Sequence, residues 1–490
     1  MPDAVVVGAG PNGLSAAIEL ARAGISVRVL EAAEEIGGGA RSAELTLPGF
    51  VHDLCSGIHP MGALSPFWRE LALERWGVQW LEPEIALAHP LEEDEPALLR
   101  RSLEDTAREL GEDGPAYDRL LRPFLERGEA LFRDILRPIR LPRHPFLLAR
   151  FGTAALRSSD AVARRFRASR ARALFGGCAG HSLLPLDSPG TASFALALLL
   201  SAHLVSWPCA RGGSARIVEV LAACLRRLGG EIEVGHPVRT LADVPASRAV
   251  LFDLSPRQVV AIAGGELPPR YRRALERYRH GAGVFKLDWA LDGPIPWHAE
   301  ACRKAGTVHV GGPYEAIALS EMQSCRGEHP ERPFVVVAQP SLFDSTRAPA
   351  GQHTGWAYVH VPHGSDVDMT DAVERQIERF APGFRDRILA RHARTARALE
   401  RHNAAMIGGD LAGGANTLRQ FLARPVLKWD PYAMPNPRFY LCSASTPPGG
   451  GVHGMCGYHA ARSALRRSFG RAPDETSGSP AHTDRSWRTG

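Results

Sequence analysis

Three glycines near the start of the chain stand at a spacing that can hold a diphosphate. Gly8, Gly10 and Gly13 form G-x-G-x-x-G directly after the apolar run Ala4 to Val7, and Glu31 follows eighteen residues after Gly13. Gly8 permits a tight turn, and Gly10, lacking a Cβ, lets a pyrophosphate lie against the backbone. Gly13 lets the following helix pack close to the sheet. Pro11 suits the first helical turn, where its missing N–H costs nothing, and Asn12 completes the loop. The helix N-terminus then presents free N–H groups and partial positive charge to phosphate. Glu31 can accept hydrogen bonds from a ribose diol. Its charge disfavours a 2′-phosphate, so FAD or NAD is expected rather than NADP.

Two more glycine clusters extend this pattern. Gly37, Gly38 and Gly39 precede Arg41, forming a loop that can approach a large cofactor, with Arg41 reaching a phosphate or the redox end. NAD-binding units have no general need of such a loop, whereas FAD folds often use one. Near the other end, Thr446 to Ala461 contains Gly449, Gly450, Gly451, Val452, His453, Gly454, Met455 and Gly457. No second G-x-G-x-x-G follows a strand, which argues against a dedicated NAD(P)H domain.

The elements that must position these residues can be read from periodicity. Ala4 to Val7 and Val27 to Leu30 are expected strands around a helix that Gly24 stops. From about 66 to 205 the pattern is mostly helical, with Gly176 to Gly180 expected to separate two helices. The second of these, Thr191 to Val205, is apolar almost all round, so it should be buried or line a pocket. A helix from 215 to 228, Gly229-Gly230 and a short strand look like a return to the first sheet, with Val238 placed to cover a purine ring. Strands are expected at 249–253, 284–291, 334–338, 354–360 and 439–442, and a helix at 371–380. Gly408 to Ala415 is expected to be a mobile loop.

Composition narrows the function classes. At 490 residues the chain exceeds one simple domain, and 44% hydrophobic content supplies a large core. Only Lys286, Lys304 and Lys428 are lysines, and no basic run interleaved with aromatics suggests nucleic-acid binding. The eight cysteines form no C-x-x-C and no zinc spacing, so buried thiols in a reducing compartment and no metal are expected. The first strand begins by residue 4, leaving no room for a signal peptide. Phe194 to Val205 is too short to span ~30 Å of hydrocarbon. A cytoplasmic location is therefore expected. Arg143 to Arg172 reads as a solvated helical face or, more sharply, as a peripheral membrane contact delivering an apolar substrate.

Taken together, the N-terminal motif with Glu31, the Gly37–Gly39 loop and Thr446 to Ala461 resemble two-domain FAD oxidoreductases of the glutathione-reductase-like group. Gly408-Gly409-Asp410 and Leu418-Arg419-Gln420 make the likeness to phytoene desaturase-related proteins more specific. The resemblance covers nearly the whole chain except its tail. It implies an α/β fold with a Rossmann-type dinucleotide-binding domain and a substrate domain of mixed sheet plus helices. The FAD-binding domain is expected at 1–92, 207–262 and 435–470, the substrate domain at 93–206 and 263–434, and a disordered tail at 471–490. FAD would be held by Gly8, Gly10, Pro11, Asn12, Gly13, Glu31, Gly38, Gly39, Arg41, Val238, Gly450, Gly451, Val452, Gly454 and Met455.

Two departures from that group matter. Cys55 stands alone, so disulfide chemistry is excluded, and Ser443, Ala444 and Ser445 occupy the place of an acidic residue that often contacts the ribityl chain. The helix starting near Gly454 is expected to aim its N–H groups at the pyrimidine edge of the flavin. Removing a hydride from a substrate C–H also releases a proton, and His59, His181 and His453 are the candidate acceptors. The expected activity is an FAD-dependent dehydrogenase or desaturase acting on a small, mainly apolar substrate, a terpenoid or other lipophilic metabolite, with oxygen or a quinone as electron acceptor. A redox-neutral isomerase, an amine or alcohol oxidase and a catalytically silent FAD-binding partner protein are the alternatives, and a homodimer is compatible with all of them.

Overall fold

The computed structural model of the chain describes residues 1–139 and 142–471. Its first sheet has five parallel strands, in the order Phe439–Leu441, Ala249–Phe252, Ala4–Val7, Val27–Leu30 and Glu231–Glu233. Ala4 to Val7 is central and buried on both faces, which is why it reads as an unbroken apolar run. Ala4 and Val6 share a core with the helices Pro11–Arg22, Ala215–Arg227 and Met455–Ser468. Val5 and Val7 face the helices Pro256–Ala263 and Pro269–Glu276.

The second sheet is mixed and has seven strands, in the order Ile388–Arg394, Gly283–Leu291, His353–Val361, Val335–Ala338, Ala305–Val310, Ile85–His89 and Ala97–Leu99. Its two faces differ sharply. Phe285, Leu287, Trp289, Val308, Val337, Ala357 and Val359 pack on the helix Thr370–Glu378 through Val373 and Ile377. The alternate positions carry Lys286, Asp288, Thr307, His309, Trp356, Tyr358 and His360, and this polar face is covered too.

Several expectations need correction. Ile85–His89 and Ala97–Leu99 are strands rather than helix, and both join the second sheet. The switch between sheets thus comes before residue 85, not at 92. All five residues of Ile85–His89 are buried, and a short fully buried strand has no period to distinguish it from helix. Gly176 to Gly180 do not interrupt a helix; they lie inside Ser169–Gly180. A Cβ on Gly176, Gly177 or Gly180 would stand 2.6 Å from Tyr314, 2.6 Å from His309 Nδ1 and 2.8 Å from Phe334, so these glycines admit bulky neighbours. The Gly408 to Ala415 loop, expected to be mobile, is held by hydrogen bonds in this structure. Buried Asp410 accepts N–H groups of Gly281 and Ala412, and Arg424 donates to the carbonyls of Ala412 and Gly414. Beyond Arg471, the expected disordered tail lies outside the described residues.

The two ends of the chain meet in the first sheet's helical layer. The helix Met455–Ser468 crosses Pro11–Arg22 so closely that a Cβ on Gly457 would stand 1.8 Å from the carbonyl oxygen of Asn12. Gly457→Leu should therefore lower unfolding free energy by at least ~1–3 kcal/mol in urea denaturation. Gly265→Ala, which meets nothing within 4 Å, should change it by less than ~0.5 kcal/mol. Equal effects would contradict the packing described.

Candidate active site

A cavity of about 1760 Å³ opens at the carboxyl ends of the parallel strands and runs on beneath the polar face of the second sheet. It exceeds the ~300–1,000 Å³ of an ordinary small-molecule pocket, leaving room for a dinucleotide and a separate substrate. Gly8, Gly10, Pro11, Asn12, Glu31, Gly38, Gly39, Arg41, Val238, Gly450, Gly451 and Val452 line it, together with His59, His181 and His453. Residues from positions 8 and 453 thus share one space.

Gly13, Gly454 and Met455 do not line the cavity. Gly13 serves the turn behind it, since a Cβ there would stand 2.0 Å from the Gly8 carbonyl oxygen. Gly8 itself has a φ of +106°, which only glycine adopts readily. Gly454 faces Ser15 and Trp68, where a Cβ would come within 2.2 Å of Ser15 Oγ. The first N–H of the C-terminal helix, that of Met455, donates to His453 Nδ1 at 3.0 Å. One N–H of the helix end is thus taken up within the protein, and the loop before it lines the cavity.

Glu31 is tied to the glycine loop: Oε2 accepts the Ala9 N–H at 2.7 Å, Oε1 accepts that of Ala33 at 3.0 Å, and Arg41 lies 3.5 Å away. A residue the sequence reading did not single out stands opposite. Asp253, at the carboxyl end of Ala249–Phe252, lines the cavity and accepts the Gly13 N–H at 2.8 Å. Burial, reinforced by the charge of Glu31 and opposed by the Gly13 hydrogen bond, pushes its pKa up to about 7. Its place beyond the end of a parallel strand beside the central one was the available signal.

The three histidines are all buried or nearly so, and burial lowers each pKa: to about 4 for His59 and His453, and to about 3 for His181. His59 Nε2 lies 2.7 Å from Ser214 Oγ, whose single hydrogen goes to the Ser56 carbonyl. His59 must therefore donate through Nε2, leaving Nδ1 with Ser56 Oγ at 3.5 Å. His181 uses both nitrogens, meeting Tyr358 Oη at 3.0 Å and His309 Nε2 at 3.1 Å. Ser214 is held by Asp53, which also accepts from Ser42 and from buried Arg347 at 2.7 Å. Burial would raise the Asp53 pKa, but Arg347 and these hydrogen bonds outweigh it and bring it to about 2. Among the described residues no group of three or more His, Cys, Asp or Glu could hold a metal, and all eight cysteines are free.

Glycines that clear a path for a diphosphate, an uncapped helix start and an acid beside the loop fit a dinucleotide cofactor. Comparison with known proteins agrees. A family model described as an NAD(P)-binding Rossmann-like domain matches residues 6–71. Pyridine nucleotide-disulfide oxidoreductase domain-containing protein 2 of Rattus norvegicus is 26% identical over 95% of this chain and 93% of its own length. Phytoene desaturase (lycopene-forming) of a Paracoccus species is 25% identical over 93% of this chain and 95% of its own. Wild-type putrescine oxidase bound to putrescine shares the fold, with a TM-score of 0.62 and 17% identity over 96% of this chain and 99% of that one. That last likeness concerns the fold alone, and it is to an amine oxidase rather than to a glutathione reductase. The chain is an enzyme of the FAD-dependent oxidoreductase class, with a Rossmann-like domain and mixed sheets. Within that class it is related to the phytoene desaturases and to pyridine nucleotide-disulfide oxidoreductase domain-containing protein 2.

The raised pKa of Asp253 has a consequence for stability. The folded chain keeps this proton up to about pH 7, while an unfolded aspartate loses it near the ordinary value of 3.8. Stability from this group is full below that ordinary value and is lost as pH rises toward 7. In cofactor-free protein, Asp253→Asn should therefore gain stability relative to wild type between about pH 4 and 7, with the difference level above. A difference that stays flat across that range in urea titrations would contradict the shift.

Proposed function

We propose that the chain is an FAD-dependent dehydrogenase or desaturase that removes a hydride from a mainly apolar substrate, in a two-domain arrangement of glutathione-reductase-like type. The observation that carries this reading is one continuous cavity with the dinucleotide loop at one end and the apolar helix Pro145–Ala155 at the other. FAD, when bound, supplies the two-electron acceptor. Gly10, Gly38 and Arg41 would hold its diphosphate and Glu31 its ribose. Leu148, Ala149, Phe194 and Leu198 give the substrate an apolar wall and keep water out. Of the three histidines, His59 has the loosest contact on a ring nitrogen, Nδ1 to Ser56 Oγ at 3.5 Å, so Nδ1 is assigned as the acceptor of the substrate proton. Electrons leave to oxygen or a quinone.

Anaerobic mixing of the FAD-loaded protein with lipophilic terpenoids should bleach the visible flavin band for at least one of them. Gly10→Val, whose side chain would crowd Asp253 Oδ2, should purify with little FAD. A Gly10→Val protein with full FAD content would contradict the cofactor placement, and a flavin never bleached by any lipophilic compound would contradict the activity.

The mouth of the cavity supports a lipid surface as the source of substrate. Phe146 is 90% exposed, Ile139 57% and Leu156 56%, and Arg143, Arg150 and Arg157 are exposed beside them. An apolar tip ringed by arginine suits a bilayer with anionic headgroups. Phe146→Glu should reduce co-sedimentation with anionic liposomes about tenfold or more, in line with ~1.5–3 kcal/mol for burying one Phe. Unchanged co-sedimentation would remove the membrane from this reading.

A further inference from the structure

One titratable group at the nucleotide end of the cavity has no part in the hydride removal proposed above. Asp253 stands just beyond the strand Ala249–Phe252, lines the cavity and reaches across the glycine turn. Its Oδ2 accepts the Gly13 N–H at 2.8 Å. A Cβ on Gly10 would stand 2.9 Å from the same oxygen and 3.9 Å from the Cα of Gly38. That bare face of Gly10, between Asp253 and Gly38, is where a diphosphate comes nearest the backbone. A phosphate oxygen taking that place comes within hydrogen-bond reach of the Asp253 carboxyl. Two negative charges so close repel, whereas a neutral carboxyl offers an O–H and keeps an oxygen for the Gly13 N–H. The ionisable groups around Asp253 do not relieve that repulsion. Glu31 faces it from the end of Val27–Leu30 and adds to the negative field. Arg41, from the loop after Gly39, lies 3.5 Å from Glu31, and Arg257, from the helix that follows Asp253, reaches Glu400 instead. Behind it, burial keeps the thiols of Cys442 and Cys456 protonated, the latter pushed up to about 12.

We propose that Asp253 is a cofactor-binding residue that enters the complex carrying a proton, with its O–H donating a hydrogen bond to the diphosphate of FAD. This rests on the placement of FAD given above and goes beyond it: the chain takes the coenzyme together with one proton. The carboxyl titrates at about pH 7 in the cofactor-free chain, through burial and the charge of Glu31. The free chain is therefore mostly protonated at slightly acid pH and mostly ionised at alkaline pH. Binding is at full strength in the first condition, and in the second it must first draw a proton from solution.

Cofactor-free protein can be titrated with FAD at several pH values, following the change in flavin fluorescence. The Kd should rise about thirtyfold between about pH 6 and about pH 8.5, as the protonated fraction of one such group falls. Calorimetry at about pH 8 in phosphate and in Tris, whose ionisation heats differ, should count nearly one proton taken up per FAD. Asp253→Asn carries an amide that donates in place of the O–H, with an oxygen left for the Gly13 N–H. It should hold the Kd within about threefold across the same range and take up no proton. His236 also lines the cavity, and the Asp243 carbonyl and Glu233 raise its pKa. His236→Gln should keep the wild-type slope and proton count. If Asp253→Asn does not fold, the proton count in His236→Gln carries the test. An affinity independent of pH, a slope kept in Asp253→Asn or a slope lost in His236→Gln would overturn the inference and leave FAD as the cofactor. No FAD binding at any pH would overturn it together with the cofactor placement.

Discussion

Everything in this molecule depends on how closely two helices approach. The carbonyl of Asn12 and the Cα of Gly457 leave no space for a methyl group between them. That approach fixes the C-terminal helix against the dinucleotide helix, and the loop from Ser443 to His453 is thereby brought to the edge of the same cavity. Ser15 and Trp68 complete the junction: Trp68 Nε1 donates to Ser15 Oγ at 3.0 Å, directly beneath Gly454. Residues more than four hundred positions apart can then face one ligand.

The second constraint is a sheet that buries a polar face. In the mixed sheet, alternation places Phe285, Leu287 and Trp289 in an ordinary apolar core while Lys286 and Asp288 turn the other way. Removing such groups from water is unfavourable unless they find partners. Here they pair with one another: Lys286 with Asp288, Arg347 with Asp53 and Asp344, His360 with Glu321, and His181 with Tyr358 and His309. Among the described residues, Thr307, Trp356 and His360 on this face line the cavity and keep a polar atom without a hydrogen-bond partner, while Asp288, His309 and Thr354 keep one away from it. A lining of this kind is preorganised, because its hydrogen bonds set side-chain directions before any ligand arrives.

Sequence reasoning found the nucleotide loop because backbone geometry there admits almost no residue but glycine. The strand Ala4–Val7, the spacing to Glu31 and the helix beyond Gly454 were legible for the same local reasons. The Thr191–Val205 helix was legible from its uniform apolarity, and Phe194 and Leu198 do line the cavity. Other features depend on long-range contacts. Ile85–His89 becomes a strand only because Ala305–Val310 lies beside it, and the glycines of Ser169–Gly180 are explained by Tyr314, His309 and Phe334. Asp253 and Arg347 acquire their meaning from Gly13 and Asp53, each more than two hundred residues away. The alternation of Trp356, Tyr358 and His360 was visible as period two in the sequence. It marks a site only once the opposite face is seen to be the core.

The most direct measurement is hydrogen–deuterium exchange with and without FAD, read on peptides covering residues 8–13 and 446–453. Closure of both segments round one coenzyme predicts that FAD slows exchange in the two together, at the same occupancy. Protection of only one segment, or of neither in protein shown to contain FAD, would contradict a shared site.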